Sequence, residues 1–234
     1  MDATTTRDTE VELGGLTLRL CPERAVWRPD GSGHGGAVFV ADLHLGKADL
    51  FRRRGIPVPH AAAEADLDRL SSLLARTGAD RLVVLGDLLH SRPSANDATV
   101  EAVTTWRRRH GGVEVRLVLG NHDRHAGPPP PAWDMAWCDE PCGLEGEGLV
   151  LRHHPAADSR GYVLAGHVHP AVTPMAGPRE ATTRLPCFHA AAGCLTLPAF
   201  GRFTGTHRID YHEGDRVFAV AESSVLELPP AMIG

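Results

Sequence analysis

Short apolar runs alternate with longer amphipathic stretches through the first half of the chain. Ala37-Val38-Phe39-Val40-Ala41 and Arg81-Leu82-Val83-Val84-Leu85 are nearly continuous in apolar character, with β-branched residues prominent. Such runs mark strands buried on both faces. Residues 113–119 read as a third strand. Between these runs, residues 60–77 place Ala62, Ala65, Leu67, Leu70, Leu73 and Leu74 at helical spacing, and Gly78 supplies the stop. Residues 95–109 make a second helix, closed by Gly111-Gly112. Upstream, residues 11–20 and 23–27 read as a short hairpin with Gly14-Gly15 as its turn signal, followed by a Gly-rich loop from Asp30 to Gly36. Gly127-Pro128-Pro129-Pro130-Pro131 is a rigid surface loop or a boundary between two halves. Beyond it, residues 149–153, 162–166, 184–190, 194–197 and 216–222 read as strands with little helix between them. This order predicts an α/β fold, two sheets packed face to face with helices outside, in one domain over residues 1–234.

A length of 234 residues is enough for one sizeable core. No apolar run is long enough to span a bilayer. The polar opening, residues 1–8, has no apolar signal core, so a cytoplasmic protein without membrane attachment is expected. The formal net charge of −5 argues against whole-molecule attraction to nucleic acid. Bound divalent ions would restore positive charge where it acts. Lys47 is the only lysine. The five cysteines are odd in number and are expected to be reduced thiols. Cys138 and Cys142 have the spacing of half a zinc knuckle, but no second Cys or His pair matches them.

Candidate chemistry gathers at the strand ends. Asp42-Leu43-His44, Gly86-Asp87, Gly120-Asn121-His122-Asp123, His153-His154-Pro155 and Gly166-His167-Val168-His169 occur in that order, each at or just after an expected strand. Alternate side chains of an extended chain point the same way, so Asp42 and His44 can reach one ion together. His167 and His169 share that spacing, and a turn there can send them to different ions. Asp87 can bridge two cations through its two oxygens, and Asn121 can offer its amide oxygen. Of the adjacent His153 and His154, only one can face the ions in an extended segment. This donor set suits manganese, iron or zinc better than magnesium or calcium. Two bridged ions would hold a water that loses its proton near neutral pH and attacks phosphorus. His122 is well placed to be a proton donor or a hydrogen-bonding cation near the leaving oxygen, with Asp123 orienting its ring and favouring the imidazolium. Any one fragment alone is an ordinary turn or surface pair; the five together supply two complete ligand sets.

These motifs resemble those of the calcineurin-like metallophosphoesterases over residues 37–170. The resemblance implies a four-layer αββα sandwich of two mixed β-sheets flanked by helices. It implies that Asp42, His44 and His169 hold one metal, that Asp87 bridges, and that Asn121, His153 and His167 hold the second. His153 rather than His154 is the ligand on that pattern, leaving His154 as a support behind the ligands or a phosphate contact. His122 is then the catalytic histidine, supported by Asp123.

A narrower resemblance rests on Ala41-Asp42-Leu43-His44-Leu45-Gly46-Lys47, on Phe51-Arg52-Arg53-Arg54-Gly55, on Gly86-Asp87-Leu88-Leu89-His90-Ser91-Arg92 and on Leu197-Pro198-Ala199-Phe200-Gly201-Arg202-Phe203-Thr204-Gly205. Together these resemble the ligase-associated DNA damage response endonucleases. That likeness implies a manganese-dependent phosphodiesterase cutting DNA, single-stranded by expectation, in repair, with functional association with a DNA ligase and a helicase. Lys47, Arg52, Arg53, His90, Arg92 and His154 are the candidate substrate contacts. Phe51, Phe200 and Phe203 are either core residues or stacking platforms for bases. Arg107-Arg108-Arg109 reads first as charge favourable at a helix C-terminus. The competing reading is a phosphatase or pyrophosphatase for a small nucleotide or lipid precursor. A metal-free scaffold would need missing ligands, and none is missing.

Overall fold

The computed structural model describes residues 7–53, 55, 62–90, 97–143, 148–176, 179–180 and 183–233. The first half contributes β1 (Thr9–Leu13), β2 (Leu16–Cys21), β3 (Ala25–Arg28), β4 (Ala37–Val40), α1 (Lys47–Arg53), α2 (Ala62–Thr77) and β5 (Arg81–Leu85). It continues with α3 (Asp97–Arg109), β6 (Glu114–Val118), α4 (Asn121–Ala126) and β7 (Ala136–Cys138). The second half contributes β8 (Cys142–Gly143), β9 (Leu149–Leu151), β10 (Tyr162–Ala165), β11 (Pro170–Val172), β12 (Met175–Ala176) and β13 (Arg179–Glu180). Then follow β14 (Leu185–Ala191), β15 (Cys194–Thr196), β16 (His207–Arg208), β17 (Arg216–Ala221) and β18 (Ser224–Leu228). One mixed sheet runs β1 to β7 in chain order, antiparallel up to β4 and parallel from β4 to β7. The second runs β16-β11-β14-β15-β10-β9-β8, with β17 and β18 joined through β14. This is an α/β sandwich of two mixed sheets packed face to face.

The unbroken apolar runs are explained by burial on both faces. Ala37, Phe39 and Ala41, with Val83 and Leu85, enter the layer between the sheets, where they meet Leu151, Leu164, Phe188, Leu195 and Phe218. Their alternates Val38, Val40, Leu82 and Val84 turn outward and pack under Leu67, Leu70, Leu73 and Leu74 of α2 and Val103 and Trp106 of α3. Gly78, at φ +67°, ends α2 by donating its N–H to the Leu74 carbonyl at 2.8 Å. Trp106 Nε1 donates to Ser71 Oγ at 2.9 Å and ties the two helices together. Arg107 is buried, and its guanidinium donates to the carbonyls of Trp133, His110 and Val113. It is therefore a structural cation at the end of α3.

Gly14 and Gly15, read as a turn signal, do form a turn: both are at positive φ and fold β1 onto β2, and β3 adds a third antiparallel strand. Cys138 and Cys142 form a disulfide rather than free thiols, because the turn between β7 and β8 brings their Cα atoms to 6.3 Å. Cys21, Cys187 and Cys194 are free and buried, as expected of reduced thiols. The short helices α1 and α4, not assigned from sequence, start at Lys47 and Asn121, within the motif stretches. No helix among the described residues is long and apolar enough to cross a membrane.

Phe39 is fully buried between the sheets, so Phe39→Ala is expected to cost about 3–5 kcal/mol of stability. Equilibrium urea unfolding measures this. A loss below about 1 kcal/mol would show that the intersheet layer does not hold the fold together.

Candidate metal centre

Strands β4, β5 and β6 of one sheet, and β9 and β10 of the other, all run into motif residues at their carboxyl ends. The backbone there is unusual. φ is +54° at Asp42, +47° at His44, +53° at Asp87, +71° at His167 and +53° at His169. A non-glycine residue in the left-handed region costs about 1–3 kcal/mol and persists only where its surroundings enforce it. They do so here. The N–H of Asp42 donates to the Gly86 carbonyl at 3.1 Å, that of His44 to the Asp87 carbonyl at 2.9 Å, and that of His167 to Asp42 Oδ2 at 2.9 Å. Gly86 and Gly120 provide the room: a Cβ on the first would collide with His153, and on the second with Asp87.

The side chains meet in two groups. In the first, His169 Nε2 is 3.3 Å from His44 Nε2 and 3.4 Å from Asp42 Oδ1. In the second, His153 Nε2 is 3.0 Å from Asn121 Oδ1 and 3.1 Å from His167 Nδ1. Asp87 lies between them, with Oδ2 3.7 Å from His44 Nε2 and Oδ1 3.5 Å from His153 Nε2. His167 and His169 thus diverge into different groups despite their spacing. His153 is fully buried within its group, whereas His154 is exposed and pairs through Nδ1 with Glu140 Oε1 at 2.6 Å.

Tautomers follow from the outer partners. A carbonyl only accepts, so the contacts of His153 Nδ1 with the Leu85 carbonyl and of His169 Nδ1 with the Gly205 carbonyl, both 3.0 Å, place a hydrogen on each Nδ1. In the neutral ring this leaves a bare Nε2 lone pair facing the group. Burial, then the neighbouring His169 and Lys47, push His44 down to about 2, so it too is neutral. Asp42 Oδ1 is buried and takes part in no hydrogen bond. Lone pairs and carboxylates that converge with so few protons between them repel one another. Divalent cations fit this donor set, and the donated Nδ1–H groups are the outer support that imidazole ligands ordinarily have.

His122 lies at the edge of both groups. Its Nδ1 contacts the His90 carbonyl, its ring stacks on that of His90 with centroids 4.9 Å apart, and its Nε2 is 3.9 Å from Asp87 Oδ2. Asp123 does not orient this ring, contrary to the sequence reading. Its carboxylate points inward and accepts the N–H groups of Leu89 and Gly120, each at 3.1 Å, which binds two motif loops together. Burial raises Asp123 to about 6 in spite of those bonds. Adjacency in sequence misled because α4 begins at Asn121 and sends consecutive side chains in different directions.

The proposed substrate contacts divide. Lys47 starts α1 and is close enough to the centre that burial lowers its ammonium while Asp87 opposes the shift. His90 is beside His122. Arg52 is ion-paired with Asp49 on its own helix. Of Arg53 only the backbone is described, and Arg92 lies outside the described residues. Phe200 is fully buried under the Arg69 guanidinium, 4.1 Å from its ring centroid, and is a core residue.

Sequence reasoning missed the supports. Glu140 Oε2 accepts the backbone N–H groups of His153 at 2.8 Å and His154 at 2.9 Å. The segment around Phe200 explains its own sequence signature: Phe200 N–H donates to the Ala41 carbonyl at 2.8 Å, and Gly201 N–H to that of Asp42 at 3.2 Å. Asp66 accepts the Arg202 N–H at 3.2 Å and faces Arg69 at 3.2 Å, fastening that segment to α2.

Comparison with known proteins places this arrangement. The family model described as calcineurin-like phosphoesterase matches residues 37–179. Among solved structures, the nuclease MPE of Pseudomonas putida is similar, with 37% identity, a TM-score of 0.80, and 95% of this chain and 100% of that chain covered. Yfce, a phosphoesterase from E. coli, aligns at 15% identity with a TM-score of 0.44 over 82% of this chain and 97% of that one, too remote to add to the argument. A search of curated proteins finds no match.

If Asp87 joins the two groups, Asp87→Ala should lower bound metal from about two ions per chain towards none after loading with manganese and desalting. Elemental analysis measures it, with circular dichroism confirming the fold. Retention of two ions in the variant would contradict the bridging position.

Proposed function

The chain belongs to the calcineurin-like phosphoesterases and is a metallophosphoesterase, and from that premise we propose that it hydrolyses phosphodiester bonds in DNA, with single strands as the preferred substrate and repair as the setting. The observation that carries this reading is the likeness to the Pseudomonas putida nuclease over 95% of the chain, at 37% identity. The family uses divalent metals; manganese is the proposed ion here.

In this reading Asp42, His44 and His169 hold one ion, Asn121, His153 and His167 the other, and Asp87 both. Bound there, the ions would supply positive charge to the phosphoryl oxygens and acidify water. The protein's own groups do the rest. The His90 carbonyl fixes the His122 ring through Nδ1, so that Nε2 alone faces the centre. A proton on that Nε2 can pass to the leaving oxygen of the sugar. The Lys47 ammonium adds charge beside the same carboxylates and attracts the phosphate. Glu140 holds His154 at the exposed edge, where its ring can meet the phosphate of the next nucleotide.

Purified protein loaded with manganese is the test, offered single-stranded DNA, duplex DNA, free nucleotides and phosphomonoesters, with Asp87→Ala as control. Cutting of single-stranded DNA at least about tenfold faster than of duplex is the expected result, a preference of about 1.4 kcal/mol. Turnover confined to phosphomonoesters or free nucleotides would contradict the proposal and favour a small-molecule phosphatase.

A further inference from the structure

Among the described residues the α-helices lie between Lys47 and Ala126, and α2 and α3 pack on the first sheet. The second sheet turns the small cluster Val150, Val163, Ala165 and Cys194 to its other face. Above it is an open groove of about 410 Å³. That size suits a small organic group.

The groove is lined by residues of the same segments that carry the metal centre. Pro155, which lines it, directly follows His153-His154, and Val168, also in the lining, separates His167 from His169. His207 lines it as well, and its N–H donates to the His169 carbonyl at 2.9 Å. A phosphodiester seated at the centre therefore has its neighbouring nucleoside within reach of this groove.

The lining has a particular chemistry. Ala156, Ala157, Ala191 and Pro170 give small apolar walls, which leave a slot for a flat group. Polar atoms come from Thr196 and from His189, cross-strand partners on β15 and β14. His189 Nε2 lies 2.8 Å from Asp215 Oδ2. The carboxylate accepts, so Nε2 carries the hydrogen, and in the neutral ring Nδ1 is left as an acceptor. Arg208 and Asp210 both line the groove, so it is not a second anion site by charge. Apolar faces with a hydrogen-bonding edge and no net charge describe a nucleobase, which proteins take up from single strands against apolar and imidazole surfaces.

We propose that this groove is a nucleobase subsite, which receives an unpaired base next to the scissile phosphate. The proposal rests on the DNA reading above and adds where the strand lies. It also gives a reason for single-strand preference, because a base held in a duplex cannot enter.

The test uses the whole, manganese-loaded protein. Ala191→Trp and Ala157→Trp each fill the groove from a different segment, and neither residue belongs to the centre. Cleavage of a short single-stranded oligonucleotide is compared with hydrolysis of methyl p-nitrophenyl phosphate. Each variant should raise KM for the oligonucleotide about tenfold while the small diester keeps its KM and kcat. One abasic position beside the cut should raise the wild-type KM by a similar factor and have little further effect in the variants. If both variants and the abasic substrate leave the oligonucleotide KM unchanged in a working nuclease, the subsite is overturned and the nuclease reading stands. If the wild-type protein hydrolyses the small diester but cuts no oligonucleotide, the nuclease reading falls and the subsite with it.

Discussion

Acceptor atoms crowded at one end of the sandwich impose the constraint on which this structure depends. Asp42 and Asp87 carboxylates, the Asn121 amide oxygen and the imidazole nitrogens of His44, His153, His167 and His169 each stand within about 3–4 Å of at least one other of the set. Charge and lone-pair repulsion disfavour that arrangement, and burial enlarges the penalty because water cannot screen it. Cations reverse the sign of the interaction. Five of these residues also hold left-handed backbone, so the cost is conformational as well as electrostatic. A fold that maintains both costs at one place has its reason there.

The rest of the molecule can be understood as the means of holding that end still. Parallel strands from two sheets direct their carboxyl ends to the same side, and intersheet packing of Phe39, Leu85, Leu164 and Phe188 sets their separation. Hydrogen bonds then join loop to loop. Asp42 reaches Gly86 and His167, Asp123 reaches Leu89 and Gly120, and Phe200 and Gly201 reach Ala41 and Asp42. Glu140 and the Gly205 carbonyl fix His153 and His169 from outside. Such support is what keeps ligand positions precise enough for chemistry.

The legible part of this design is the part written in side-chain type. Asp42, Asp87, Asn121 and the four histidines were identifiable because carboxylate, amide and imidazole recur at the ends of apolar runs, and those runs were plain because both faces are buried. What escaped is carried by backbone atoms and by distant pairs. No pattern announces that the His90 carbonyl, rather than the neighbouring Asp123, meets the His122 ring, or that Gly205 supplies the carbonyl for His169. The pairing of Cys138 with Cys142 depends on how two short strands meet. Arg52, read from sequence as either a phosphate contact or a solvated helix end, is paired on α1 with Asp49, a partner the sequence reading did not name.

The most direct test of the central claim is anomalous diffraction from crystals of the manganese-loaded protein. The account predicts two peaks about 3.5–4 Å apart, one bounded by Asp42, His44 and His169, the other by Asn121, His153 and His167, with an oxygen of Asp87 on each. A single peak, or peaks elsewhere with these side chains linked by protons alone, would contradict it.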